Sequence, residues 1–302
     1  MTRIAVFAYS DTGHACLDHL FAKEENVVLV ATHRDATDEA AWFPSVAALA
    51  RAHGIEPVIM ENPLDPQSLA RVRAARPDLL FSFYYRRILP DDMLAVPPLG
   101  AWNMHGSLLP KFRGRAPVNW AVLKGETRTG ATLHAMTGRA DRGPILDQEP
   151  VPIGPDDTAI EVQKRVTEAA VRVLARRLEE LKAGRARPVP QDESRASRFG
   201  RRRPEDGRID WTRPAKEVHD LVRAVTHPYP GAFTDIFGPR TFVWRTRVPG
   251  LAAHDTFPGQ VRAEDGRLYV ACGDDRYVEL LRLQAEGAGE EDAARFLAER
   301  GR

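Results

Sequence analysis

The sequence predicts an α/β protein: an open, Rossmann-like, mostly parallel sheet followed by a small OB-like β-barrel domain. Two observations predict the first part. Short apolar runs alternate with helical patterns through the first half, and several runs are apolar on both faces, as strands covered by helices on both sides must be. A third predicts the second part. Beyond about residue 207 the pattern changes to five short strands punctuated by Gly, Pro or Asp.

Taken in order, strands are expected at 3–8, 27–33, 79–85 and 101–107, with helices at 13–22, 45–53 and 67–75 between them. Two further strands are expected at 130–136 and 145–151. A long helix then runs over about 157–182, with Asp157 or Thr158 as its cap. Val162, Val166, Ala170, Leu174, Leu178 and Leu181 form its apolar stripe at intervals of three and four. Residues 185–207 are rich in Arg, Pro and Ser and carry little to bury. A helix near 214–225, the five strands and a last helix at 290–300 complete the chain. The expected division is an N-terminal domain 1–190, an Arg-rich connector 191–207 and a C-terminal OB-like domain 208–302.

The 302 residues carry 43% hydrophobic and 28% charged side chains, ordinary values for a globular protein. A net charge of +1 gives no global attraction to nucleic acid or to an anionic membrane. The two cysteines, Cys16 and Cys272, form no CxxC and read as free thiols of a reducing compartment. No run approaches the roughly 20 apolar residues that span a bilayer. A cytoplasmic location is expected, and no cluster has metal-ligand spacing.

The stretch AWNMHGSLLPKFRGRAP (101–117) carries the chemistry. Alternate side chains of a strand point the same way, so Asn103 and His105 share one face, about 7 Å apart. In an open α/β sheet ligands bind beyond the carboxyl ends of the strands, where His105 falls. An amide donor and an imidazole flanking one carbonyl are equipment for acyl transfer. The same pair alone is more often a satisfied polar pair at a strand end. Lys111, Arg113 and Arg115 in the following loop suit an anionic ligand or simply a solvated basic turn. Asp141, in the Gly-flanked loop of GATLHAMTGRADRGPIL (130–146), could orient the imidazole; as a residue type it is commoner as a turn-former. His134, on the preceding strand, reads as a packed or partly exposed strand residue rather than a second catalyst.

Other features are weaker. Ser10, Thr12 and Gly13 in the first strand-to-helix loop could offer donors to an anion, with ordinary capping by Ser10 or Asp11 as the alternative. Arg201 and Arg202 could contact a diphosphate, or lie in a solvated connector. Trp211, Tyr229, Phe233, Phe242 and Trp244 read as core rather than as a stacking surface for single strands, since no basic patch is interleaved with them.

Asn103-x-His105 with GSLLPKFRG, followed by Asp141 in TGRADRGPIL, resembles the formyltransferases that use 10-formyltetrahydrofolate. FSFYYRRIL (81–89), HGSLLPKFRGRAPVNW (105–120), RFGRRRPEDGRIDWTRPA (198–215) and VRAVTHPYPGAF (222–233) resemble in particular the UDP-4-amino-4-deoxy-L-arabinose formyltransferase domain of the bifunctional polymyxin-resistance enzyme. The resemblance covers nearly the whole chain and is weakest after about Pro249. It implies the formyltransferase fold and a role in lipid A modification. The sugar 4-amine would attack the formyl carbon, with Asn103 as oxyanion donor, His105 as proton carrier and Asp141 as its partner. Arg87, Ile88, Leu89, Arg115 and residues Thr137, Gly138, Arg139, Ala140 and Asp141 would hold the folate. Ser10, Thr12, Gly13, Arg201 and Arg202 would face the nucleotide sugar. It implies no metal, no nucleic acid and no membrane insertion, and leaves the oligomeric state unread.

The same trio would serve a methionyl-tRNA formyltransferase, a formyltransferase for another nucleotide-linked amino sugar, or a formyltetrahydrofolate hydrolase. A tRNA acceptor calls for a basic insertion near the site. The loop after the second strand, THRDATDEAAWF, instead sets Arg34 against Asp35, Asp38 and Glu39, which favours the nucleotide sugar.

Overall fold

The structure is a computed structural model that describes residues 1–35, 42–238 and 240–300. Asp38 and Glu39 of the second-strand loop lie outside the described residues. By its internal contacts the chain divides into two units, 1–117 with 128–152 and 163–200, and 118–127 with 153–162 and 201–302.

The first unit is built on a seven-stranded sheet. Its elements are β1 (Ile4–Ala8), α1 (Ser10–Ala22), β2 (Val27–Thr32), α2 (Val46–Ala52), β3 (Val58–Ile59), α3 (Pro66–Ala75), β4 (Leu79–Phe83), α4 (Asp91–Leu94), β5 (Ala101–His105) and β6 (Arg113–Gly114). Between the units' segments lies α5 (Pro117–Leu123), which belongs to the second unit from residue 118 on; the first unit continues with β7 (Arg128–Ala135), β8 (Ile145–Pro152), α6 (Ala159–Lys182) from residue 163 on and β9 (Arg198–Phe199). The strand order is β3-β2-β1-β4-β5-β7-β8. The first five strands of that order run parallel, β7 runs antiparallel to β5, and β8 runs antiparallel to β7. The order reverses between β1 and β4, which makes the carboxyl ends of β1, β4 and β5 the place for a ligand.

Local chemistry accounts for these elements. β1 and β4 are buried along their whole length, as both-face apolar runs require. Each fully buried Phe or Leu there contributes about 1.5–3 kcal/mol. The Ser45 hydroxyl accepts from the Ala48 N–H at the start of α2, and the Asp65 carboxylate accepts from Gln67 before Pro66 opens α3. Thr158 and Glu161 form a reciprocal capping box at α6: the Glu161 carboxylate accepts from the Thr158 N–H at 2.8 Å, and the Thr158 hydroxyl from the Glu161 N–H at 3.4 Å.

The start of α1 departs from expectation. The helix begins at Ser10, three residues early, behind an extended Tyr9 that makes no side-chain cap. Tyr9 N–H donates to Phe83 O at 3.1 Å, so the sheet itself delivers the chain into the helix. Neither Ser10 nor Asp11 caps it; Ser10 donates to Asp11, which also accepts from Thr167 of α6.

The second unit holds α7 (Ala215–Val225), β10 (Ala232–Thr234), β11 (Thr241–Arg247), β12 (Val261–Glu264), β13 (Arg267–Ala271), β14 (Tyr277–Ala285), β15 (Glu291–Asp292) and α8 (Ala293–Arg300). Its antiparallel sheet runs β10-β11-β14-β13-β12, with β15 beside β14. β15 takes two residues expected in the last helix. Residues 118–127 and 153–162 join this unit because α7 gathers them. Arg223, buried, donates to the Asp157 carbonyl at 2.9 Å, and the Asn119 amide donates to Ala224 O at 2.8 Å. Trp211, Phe233 and Trp244 are buried, and both indole N–H groups are hydrogen-bonded, as core rings require. No helix among the described residues is long and apolar enough to cross a membrane.

Candidate active site

β5 ends at His105, and its pairing partners fix what surrounds it. In the antiparallel register with β7, Asn103 faces His134 and His105 faces Thr132. The Asn103 amide nitrogen lies 3.1 Å from His134 Nε2. His134 Nδ1 lies 2.8 Å from the Ala135 carbonyl. A carbonyl only accepts, so Nδ1 carries the hydrogen and Nε2 accepts from Asn103. One amide N–H is thereby spent on His134, and the second is left for a ligand.

His105 is held in the same way. Its Nε2 lies 2.8 Å from the Phe112 carbonyl and therefore donates to it. Its Nδ1 lies 3.4 Å from the Asp141 carboxylate. Asp141 arrives from the loop between β7 and β8 in a left-handed conformation, φ +59, which Asp tolerates better than most residues. Its other oxygen accepts from the Gly114 N–H at 2.8 Å, and His134 Nε2 stands 3.7 Å away. Gly114 has φ +101, and a Cβ there would collide with the Phe199 carbonyl. Burial opposes the Asp141 charge, but the neighbouring His105 and the Gly114 N–H favour it, and the carboxyl is held well below the usual carboxylate range.

That depressed carboxyl has a consequence for stability. It contributes above its ordinary value of 3.8, and the contribution disappears as pH falls through the lower folded value. The stability gap between wild type and Asp141→Asn therefore narrows as pH drops below about 4, measured by urea unfolding. A gap that widens toward acid would contradict this electrostatic account.

Sequence reasoning missed three supports of the site. His134, expected as a packed or partly exposed strand residue, holds the Asn103 amide. His33, at the end of β2, accepts the Arg86 N–H on Nε2 at 3.1 Å, is tied to Glu61 through Nδ1, and stacks on Tyr85, bracing residues 84–89. Gln191 lies in the Arg-rich stretch expected to be a connector. Its amide donates to Asp141 O at 2.9 Å and to Gly143 O at 2.7 Å, and its carbonyl accepts from Arg113 at 2.7 Å. β9 pairs with β6 beside it, and Ser197 accepts from the Phe112 N–H at 2.9 Å. Residues 191–199 thus strap down both loops that serve His105. Arg113 is 3% exposed and paired with Glu193 at 2.6 Å, so this cation belongs to the strap and not to an anionic ligand. Gln191→Ala leaves its hydrogen-bond partners short of one partner each and is expected to cost about 1–3 kcal/mol, read as a lowered Tm; an unchanged Tm would show that these bonds do not stabilise the strap.

The expected folate residues fall around one loop pair. A cavity of about 400 Å³ is lined by Ile88, Gly138, Arg139, Ala140, Arg142 and Arg198. Leu89 is buried, and Arg87 reaches toward Glu61 at 3.8 Å. Arg115 donates to Arg86 O at 3.1 Å, which brings it to the 87–89 segment. Thr137 bonds within its own turn to Arg139 O at 3.1 Å. The sugar-facing expectations fare differently. Thr12 is fully buried and bonded to Thr167 and Gln163. Gly13 packs so tightly that a Cβ would sit 2.8 Å from Phe83 O. Both serve helix packing, which works against an anion contact; Ser10 alone of the three keeps exposed surface without being buried in the core. Arg201 and Arg202 lie in the second unit, where Arg202 donates to Asp206 O at 2.7 Å over the Trp120 ring. No three His, Cys, Asp or Glu among the described residues are grouped to hold a metal.

A family model described as formyl transferase matches residues 2–178, and one for the formyl transferase C-terminal domain matches residues 201–301. The chain belongs to the formyl transferase family. As a formyl transferase it shares its fold with solved structures of low identity. An N-formyltransferase from Helicobacter canadensis, in complex with folinic acid and dTDP-3-aminofucose, is 17% identical with a TM-score of 0.73 over 93% of this chain and 99% of that one. WlaRD, a sugar 3N-formyl transferase in the presence of dTDP and 5-N-formyl-THF, is 15% identical with a TM-score of 0.70 over 93% and 97%. HypX from Aquifex aeolicus, in complex with tetrahydrofolic acid, is 20% identical with a TM-score of 0.67 over 99% of this chain. This chain spans 47% of the HypX chain, about half its length.

Proposed function

We propose that this formyl transferase moves a formyl group from 10-formyltetrahydrofolate to the amine of a nucleotide-linked amino sugar, with the 4-amine of UDP-4-amino-4-deoxy-L-arabinose as acceptor. The observation that carries the reading is the convergence of Asn103, His105 and Asp141 at the carboxyl end of β5, with Asp141 3.4 Å from the imidazole. The folate is supported by the cavity between residues 88 and 138–142 and by the folates bound to the solved relatives. The sugar is supported by the relatives described as sugar formyltransferases, and its UDP-linked identity by the sequence motifs alone.

In this reading the sugar nitrogen forms a bond to the formyl carbon, and the bond from that carbon to the folate nitrogen breaks. The free N–H of Asn103 donates to the formyl oxygen as negative charge gathers there. His105 takes the amine proton on Nδ1, since Nε2 is committed to Phe112, and passes it to the departing folate nitrogen. The imidazolium formed in between is stabilised by ionised Asp141. The test is an acceptor screen: UDP- and dTDP-linked amino sugars and methionyl-tRNA, each with 10-formyltetrahydrofolate, scored by product mass. Formylation of the UDP-linked sugar is expected. Formylation of methionyl-tRNA alone would overturn the acceptor, and formylation of a dTDP-linked sugar alone would replace its nucleotide.

A further inference from the structure

Residues 84–90 join β4 to α4 outside any helix or strand, and the cavity takes part of one wall from them at Ile88. The side chains of this segment anchor it little. Arg86, Arg87 and Ile88 are exposed, and only Tyr85 and Leu89 are buried. The chain leaves β4 through Tyr84 at φ +59, a left-handed conformation that a bulky residue keeps only where its surroundings impose it. The Arg86 peptide is where they do so. Its carbonyl accepts from Arg115 at 3.1 Å, and its N–H donates to His33 Nε2 at 3.1 Å. His33 is 5% exposed. Its Nδ1 stands 3.2 Å from the Glu61 carboxylate, its ring stacks on Tyr85 at 4.3 Å, and Tyr9 meets it edge-on at 5.2 Å. A nitrogen that accepts an N–H carries no hydrogen, so the ring proton sits on Nδ1 and points to Glu61. The grip needs a neutral ring. A second proton, on Nε2, would face the Arg86 N–H donor to donor.

We propose that His33 is a positioning residue for the folate donor: its neutral ring sets the Arg86 peptide, and through it residues 87–89, in the shape that binds the donor, and protonation of this one imidazole weakens that binding. The inference rests on the formyl-transfer reading above, although His33 is not among the residues that line the cavity. The groups around the ring decide the direction of the pH effect. Burial holds the His33 imidazole below its ordinary 6.5; Glu61 pulls the other way, and Arg86 and Arg87 side with burial. The Tyr85 phenol, pushed far up by burial, stays neutral throughout. The grip is therefore intact at neutral pH and is lost as pH falls through the lowered imidazole value. Glu61 does more than orient the ring. It also accepts from the Arg34 N–H at 3.1 Å and reaches Arg87 at 3.8 Å, so one carboxylate ties the end of β2 to the segment that His33 grips. A histidine present only for packing would need neither partner, since a phenylalanine stacks on Tyr85 as well.

The test uses the full chain and isothermal calorimetry with 5-formyltetrahydrofolate. His33→Phe keeps a ring on Tyr85 and removes the acceptor. At about pH 7.5 its Kd is expected to rise about three- to tenfold, the size of one hydrogen bond. His33→Gln offers an amide oxygen in place of Nε2 and should bring the Kd back to within about twofold of wild type. With 10-formyltetrahydrofolate as substrate, the loss in His33→Phe should fall on KM for the folate and leave kcat at saturation nearly unchanged. Between about pH 7.5 and about pH 5 the wild type should lose affinity relative to His33→Gln, which has no proton to gain in that range. A His33→Phe variant with a lowered Tm and an unchanged Kd would make the residue a packing element and overturn the proposal. So would a His33→Gln variant as weak as His33→Phe, or the same course with pH in His33→Gln and wild type. A wild type that binds no folate contradicts the formyl-transfer reading itself and leaves His33 nothing to position.

Discussion

His105→Ala is expected to lower kcat by about 100- to 10,000-fold, the range over which a positioned acid–base group acts. The geometry leaves no substitute. The Phe112 carbonyl holds Nε2 at 2.8 Å, which leaves Nδ1, 3.4 Å from the Asp141 carboxylate, as the ring nitrogen that takes the proton. His134 cannot replace it, because its Nδ1 is spent on Ala135 O and its Nε2 on Asn103. Folate affinity should change little, since the cavity residues do not include position 105. Single-turnover kinetics beside calorimetry separate the two effects. Wild-type turnover in this variant would remove the imidazole from the mechanism.

Asn103→Ala is expected to cost about 100- to 1,000-fold in kcat, as loss of one oxyanion donor does elsewhere. Asn103→Asp should be as damaging, because a carboxylate only accepts and would repel the developing charge. The contact with His134 adds a sharper expectation. If His134 acts by turning the Asn103 amide toward the formyl oxygen, His134→Ala costs about tenfold in the wild type, the size of one lost hydrogen bond. In the Asn103→Ala background the same change should cost almost nothing. Additive losses in that double-mutant cycle would separate the two residues.

The legible parts of this protein are those written in local pattern. Both-face apolar runs predicted β1, β2 and β4 within about two residues, and the stripe from Val162 to Leu181 predicted α6. Alternation along one strand placed Asn103 and His105 on a common face, because that needs only a period of two. What stayed hidden depends on pairing between distant segments. His134 lies opposite Asn103 only through the β5–β7 register, and no residue near either strand encodes that register. Gln191 sits in an Arg/Pro/Ser-rich run whose composition resembles a linker. Its role arises from a two-residue pairing of β9 with β6, too short to leave a period. Thr12 and Gly13 mislead for the converse reason. Polar and small residues after a strand resemble a ligand loop, and here they let α1 pack closely against β4 and α6.

The central claim is that an amide, an imidazole and a carboxylate at the end of β5 hand a one-carbon unit to an amine. The most direct measurement follows an isotopically labelled formyl group from 10-formyltetrahydrofolate, with and without a UDP-linked amino sugar. The account predicts label in the nucleotide sugar, tetrahydrofolate released in equal amount, and little release when the sugar is omitted. Label appearing as formate at the same rate with or without the sugar would contradict it, since water and not an amine would then be the acceptor.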